Sequence, residues 1–347
     1  MIFMSVQFKK ISLLNILILL FWIIYLPPNS IGQQSELELK DDVKEKRAVH
    51  WIGQFSSSKD LEKSSQFSHR LFNFVFGTGE KKLVRPISLA AFAEKQWIIL
   101  DQGNKNLVYV DQNEGKFQSL GKSAFPSPVG ICMVSKDSIY FTDSYLNKIF
   151  YGKISDKKFQ DLNQSLMLER PTGIAYAALR DEIWVVETTA HQITILNRDG
   201  EVLRRYGRRG TAPGEFNFPT FIWIDRWGKV YIVDSMNFRI QILNLDGDVL
   251  FSFGEAGDAT GYFARPKGIA TDSQDNIYVV DALFHTVQIF NQEGQFLSNF
   301  GEQGREPGQF WLPAGIYIDD QDRIYVADSY NSRIQVFQLV PGEMDEN

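Results

Sequence analysis

The sequence predicts an all-β protein, a closed ring of six four-stranded units, that is, a six-bladed β-propeller. Three observations predict it. A Pro-x-Gly-Ile-like start recurs at Pro128-Val129-Gly130-Ile131, Pro171-Thr172-Gly173-Ile174, Pro266-Lys267-Gly268-Ile269 and Pro313-Ala314-Gly315-Ile316, with degenerate copies at Pro86-Ile87-Ser88-Leu89 and Pro219-Thr220-Phe221-Ile222. Fifteen or sixteen residues after each proline, an apolar run ends in an acid: Asp101, Asp143, Glu187, Asp234, Asp281 and Asp328. The prolines are spaced 42, 43, 48, 47 and 47 residues apart and the acids 42, 44, 47, 47 and 47, so two independent anchors keep one period. A unit of about 45 residues that breaks into four short strands is a propeller blade.

The fifth unit shows the internal pattern most plainly. Gly268 to Thr271 is followed by a polar turn, Ile277 to Val280 by a second turn, and Thr286 to Phe290 by Asn291-Gln292-Glu293-Gly294 and a last run, Phe296 to Phe300. Short runs rich in Ile, Val, Tyr and Phe between Asp/Asn/Gly turns read as antiparallel hairpins. The sixth unit stops after its third strand, Arg333 to Leu339, and leaves a tail over 341–347. An unpaired edge there would be a liability, so a strand from the N-terminal side must close the ring. Residues 47–53 resemble the fourth-strand pattern of Leu250 to Gly254 and are taken as that strand; residues 70–76 are the alternative. In the first case 58–76 is a helical insertion, with Phe67, Leu71, Phe74 and Val75 at helical spacing and Ser57 or Ser58 as its cap.

Ahead of the ring, Lys9-Lys10 precede an apolar run from Ile11 to Leu26 and then Pro27-Pro28. A basic start, a run of this length and a breaker predict a signal peptide over 1–32, or an uncleaved N-terminal membrane anchor. Residues 33–46 are charge-dense and read as a solvated spacer, with the propeller over 47–340 exported to a periplasmic or extracellular location. The exported part carries 34 basic and 42 acidic residues, a net charge of −8, which argues against nucleic acid as a partner. Cys132 is the single cysteine, so neither a disulfide nor a multi-cysteine zinc site is available.

The third to sixth copies resemble NHL-repeat propellers. The resemblance is carried by Tyr325-Val326-Ala327-Asp328-Ser329-Tyr330-Asn331-Ser332-Arg333-Ile334-Gln335-Val336-Phe337, by Tyr231 to Ile242, and by Gly308-Gln309-Phe310-Trp311-Leu312-Pro313. It covers about residues 86–339, and the arrangement as a whole is similar to exported bacterial NHL proteins of undefined role. That family includes RNA-binding, protein-binding and enzymatic members, so the resemblance implies a fold and not a function.

Two readings of function follow. No Gly-x-Ser-x-Gly elbow, His-Glu-x-x-His or phosphate-cradling loop occurs, and no cofactor is expected. The leading reading is a non-enzymatic scaffold that binds a protein or polymer through the face carrying the interblade loops and the turns between second and third strands. On that face the candidates are Tyr145, Met236, Asn237, Phe238, Leu283, Phe284, His285, Tyr330 and Asn331, with Arg208 and Arg209 of the basic run Arg204-Arg205-Arg208-Arg209. The alternative is a Ca- or Zn-dependent lactonase- or lyase-like enzyme with its metal in the central channel, as the propeller architecture allows. His191 and His285, each four residues after a strand-ending acid, make an incomplete ligand set for it and fit the repeat pattern. Asp–Arg pairs are expected at Asp234–Arg239 and Asp328–Arg333.

Overall fold

The structure, a computed structural model, describes residues 47–64, 81–121, 124–162 and 164–341. The segments read as signal or anchor (1–32), spacer (33–46) and alternative closing strand (70–76) lie outside the described residues; of the tail read over 341–347, Pro341 ends the last strand opposite Arg47 and the rest lies outside them. Among the described residues no helix is long and apolar enough to cross a membrane.

Six four-stranded antiparallel sheets make six blades. Their first strands begin at Pro86, Pro128, Pro171, Pro219, Pro266 and, for the shorter Ile316–Ile318, just after Pro313. Blades 1 to 5 run in sequence order, while blade 6 takes its outer strand from the N-terminal side: Arg47–Phe55 pairs antiparallel with Arg333–Pro341. The closing strand is the predicted one, two residues longer. Its register shifts between Trp51 and Gly53, and side chains reinforce it, with the Trp51 indole donating to Gln335 at 3.0 Å and Arg333 donating to Gln54 at 2.8 Å. Ring closure therefore rests on strand pairing, without a disulfide.

The expected helical insertion begins differently. Ser58–Ser64 is a 3-10 turn, and the rest of 58–76 lies outside the described residues. The Asp60 carboxylate turns back to accept the backbone N–H groups of Ser56 and Ser57, at 2.7 and 3.0 Å, which holds a tight turn at the start. Leu61 is buried with Phe55 and Trp97 and ties the turn to blade 1.

Apolar residues cluster between blades rather than within them. Ile183 to Val186 of the third blade, and the matching second strands of the others, are buried along their length. One apolar cluster fills each blade-to-blade interface, as where Trp184 and Val186 meet Ile222 and Ile232 across blades 3 and 4. Twisted sheets stacked face to face around an axis bury both faces in this way. At the axis, the recurrent glycine lets first strands touch. A Cβ at Gly130 would lie 2.3 Å from the Thr172 carbonyl oxygen, and one at Gly315 2.4 Å from that of Ile87.

Candidate binding face and central channel

Each strand-ending acid is fully or nearly fully buried and organises the turn after it. In blades 4 and 6 the predicted ion pairs form, Arg239 to Asp234 at 2.8 Å and Arg333 to Asp328 at 2.7 Å. Both arginines also reach loop carbonyls, Arg333 those of Arg305, Glu306 and Gln309. The long interblade loops are thereby held in place. Each also buries one phenylalanine completely, Phe216, Phe263 or Phe310, and a third-strand glutamine (Gln241, Gln288 or Gln335) accepts a loop N–H and donates to a loop carbonyl.

Four residues after the acid, the chain turns left-handed at Lys105, Asn147, His191, Phe238, His285 and Ser332, with φ between 53° and 57°. Four of these side chains reach the next blade, Ser332 by donating its hydroxyl to the Val84 carbonyl at 2.7 Å and the other three as acceptors. Asn147 accepts the Arg170 N–H at 3.0 Å, His191 Nδ1 the Phe218 N–H at 3.0 Å, and His285 Nδ1 the Leu312 N–H at 3.1 Å. Arg170, Phe218 and Leu312 precede prolines and themselves have positive φ, at 51°, 49° and 45°. The two histidines are thus interblade latches. Burial pulls the His285 imidazole below its ordinary pKa, which keeps it the neutral acceptor this bond needs.

The predicted face divides into side chains that are free and side chains that are spent. Tyr145, Met236, Leu283 and Tyr330 are 75%, 52%, 50% and 58% exposed. All four occupy one repeat position, two residues after the acid, where blades 1 and 3 carry Gly103 and Thr189. Phe238 and Phe284 are partly buried, and Phe238 packs against the cluster between blades 4 and 5. Asn237 and Asn331 each donate to the acid of their own turn and to a loop carbonyl, so both are structural. The four arginines near residue 206 do not form one patch. Arg204 is paired with Glu182 and the Leu245 carbonyl at the opposite end of the blade, and Arg208 with Glu215. Arg209 is exposed, and Arg205 stands 3.9 Å from Glu187. Exposed apolar side chains also occur elsewhere, notably Leu179 and Trp227 at the opposite end of the ring.

The channel encloses a cavity of about 230 Å³ walled by the first strands, including Ala91, Met133, Tyr176, Trp223, Ile224 and Tyr317. Its lining carries no carboxylate, imidazole or amine, and among the described residues no cluster of three potential ligands could hold a metal. Cys132 lines the same wall, and burial pushes its thiol up to about 12, which leaves it an inert apolar group.

Comparison with known proteins agrees with this architecture. A family model described as NHL repeat matches residues 310–337, and one described as 6-bladed beta-propeller matches 163–252. No curated protein matches the sequence. Among solved structures, the chain is similar to an auxiliary nutrient binding protein from Bacteroides thetaiotaomicron, at 14% identity over 74% of this chain and 69% of that one, with a TM-score of 0.59. It is similar to virginiamycin B lyase from Staphylococcus aureus at 15% identity over 85% and 100%, with a TM-score of 0.57. A gluconolactonase from Xanthomonas campestris matches at 13% identity over 74% and 87%, with a TM-score of 0.58. Binding proteins and enzymes share this ring, so the likeness carries the fold alone. With the ring closed, the chain is a six-bladed β-propeller that carries an NHL repeat over residues 310–337.

Proposed function

We propose that the protein is an exported, non-enzymatic scaffold that binds a protein or polymer partner through the loop face of its propeller. One observation carries this reading: four blades present a large exposed apolar side chain at the same repeat position, Tyr145, Met236, Leu283 and Tyr330. Tyr and Met are enriched at recognition surfaces, Tyr as a rigid amphipathic ring and Met as an adaptable apolar side chain. The loops beside Met236, Leu283 and Tyr330 are fixed by the glutamines and buried phenylalanines, so that part of the rim is pre-organised and loses little freedom on binding. Export is supported by the basic and apolar N-terminal pattern.

The test compares recovery of bound material from envelope extracts by the wild type, by a rim variant (Tyr145→Ser, Met236→Ser, Leu283→Ser, Tyr330→Ser) and by Trp227→Ser on the opposite face. The reading expects the rim variant to lose at least about tenfold, the cost of one or two lost anchors, while Trp227→Ser retains binding. Equal recovery by rim variant and wild type would sink it.

A further inference from the structure

Nearer the axis than the rim, the loop face carries cations that pair with no carboxylate among the described residues. The residue before each strand-opening proline is Arg85, Ser127, Arg170, Phe218, Arg265 and Leu312 in blades 1 to 6, so arginines stand in alternate blades. The residue after each proline is Ile87, Val129, Thr172, Thr220, Lys267 and Ala314, one cation in an otherwise neutral ring. Lys267 stands next to Gly268, on the loop side of the level where first strands close to contact. Its amine is partly buried and pulled down to about 8, first by burial and then by the positive charges of Arg265 and Arg170. Arg170 belongs to blade 3 and Lys267 to blade 5. The two stand on either side of the strand-opening proline, one before it and one after, in blades with one blade between them around the ring.

Arg170, Arg265 and Lys267 form no side-chain hydrogen bond or ion pair among the described residues, whereas Arg180, Arg204, Arg208, Arg239, Arg323 and Arg333 are each paired with a carboxylate. The carboxylates of the neighbouring turns are buried and occupied: Asp281 accepts the N–H groups of Ala264, Arg265, Leu283 and Phe284, and Glu187 that of Glu169. Glu169, beside Arg170, is exposed. In blades 3 and 4 the residue equivalent to Lys267 is a threonine bonded to a hydroxyl, Thr172 to Thr188 and Thr220 to Ser235. In blade 5 that hydroxyl is replaced by Ala282. A partly buried amine without a partner is costly unless a ligand supplies the opposite charge.

We propose that Lys267, Arg170 and Arg265 form an oxyanion site at the loop-face mouth of the axis, taking a carboxylate or phosphate group of a ligand. Arginine supplies planar, bidentate donors for such groups and lysine a compact charge nearer the axis. The site is separate from the rim and does not depend on it.

Calorimetric titration of the whole protein with citrate and, separately, pyrophosphate at low ionic strength tests it. Saturable binding is expected, with at least a tenfold loss in Lys267→Met, an unchanged affinity in Arg209→Ala and an unchanged affinity in the rim variant. Binding of citrate alone assigns a carboxylate ligand, of pyrophosphate alone a phosphate ligand, and of both a site that reads charge. Should Lys267→Met fail to fold, the exposed pair Arg170→Gln and Arg265→Gln carries the same expected loss. Acylation of Lys267 at pH 8, followed by mass spectrometry, should slow when the anion is bound. The proposal is overturned if neither probe binds saturably, or if these variants bind as the wild type does.

Discussion

Blades 4 and 6 and blades 1 and 2 hold the same buried acid by different means. In blades 4 and 6 a guanidinium meets Asp234 or Asp328 and continues to the carbonyls of the long preceding loop. In blade 1, Asp101 is surrounded by the N–H groups of Val84, Arg85, Gly103 and Asn104, and in blade 2 Asp143 accepts those of Ser127, Tyr145 and Leu146. The acid is the constant, and the donors vary. Loop length alone does not decide which: blade 5 also follows a long loop, yet its Asp281 is held by the backbone amides of Ala264, Arg265, Leu283 and Phe284. Even the buried phenylalanine survives the shortening, since Phe125 packs on Gly121 as Phe310 packs on Gly301.

The comparison makes its largest claim at Arg333. Arg333→Met leaves Asp328 buried without its cation and should cost about 3–5 kcal/mol. Lys148→Met, five residues after the acid of blade 2, removes a part-exposed pair with Asp161 and should cost under about 1 kcal/mol. Chemical denaturation of both variants reads the difference, and similar losses would break the comparison. Next comes Gly301→Ala. Its φ of 89° and a Cβ position 2.3 Å from the Phe310 ring predict a loss of about 2–4 kcal/mol. Gly53→Ala in the closing strand meets nothing within 4 Å and should stay within about 0.5 kcal/mol in the same denaturation series.

Lys267→Met should stabilise the protein at pH 7 by about 1–3 kcal/mol, because the charged amine is held against its surroundings. The sign follows from proton uptake. With the folded amine at about 8 and the unfolded one at 10.5, the unfolded state binds more protons between those values, so wild-type stability rises with pH across that window. The variant should lose that rise, as melting temperatures from pH 7 to 10 will show. The smallest effect is at His285. His285→Ala frees the Leu312 N–H and should cost about 1 kcal/mol, while His285→Asn, the side chain Asn147 already uses, should restore the bond. Since the folded imidazole is lowered, its contribution is present above the ordinary histidine pKa and is lost as pH falls below it; His285→Asn should flatten that loss. Melting curves between pH 5 and 7.5 decide it.

The fold was largely legible in the sequence because two anchors kept one period and every blade repeats the same burial. The closing strand was legible too, because Trp51-Ile52-Gly53 has the pattern of an outer strand. The site was only half legible. Four turn residues on the predicted face point outward and others in the same turns do not, because the left-handed residue four positions after the acid sets the turn and takes Phe238 and His285 out of the exposed set. Arg204 and Arg205 alternate across a strand, which disperses a cluster that looks compact in sequence. The latching role of Asn147, His191 and His285 had a signal, three acceptor side chains at one repeat position, but its partners lie 23 to 27 residues onward in the next blade. Lys267 stands out only when the six units are superposed around the axis.

The central claim, that the loop face is the working face, is tested most directly by a photo-crosslinking amino acid placed at Leu283 on the rim and, separately, at Trp227 on the opposite end, in the full chain in its own cells. The account predicts a discrete crosslinked species from position 283 and none from 227. Crosslinking at 227 with none at 283 would contradict it.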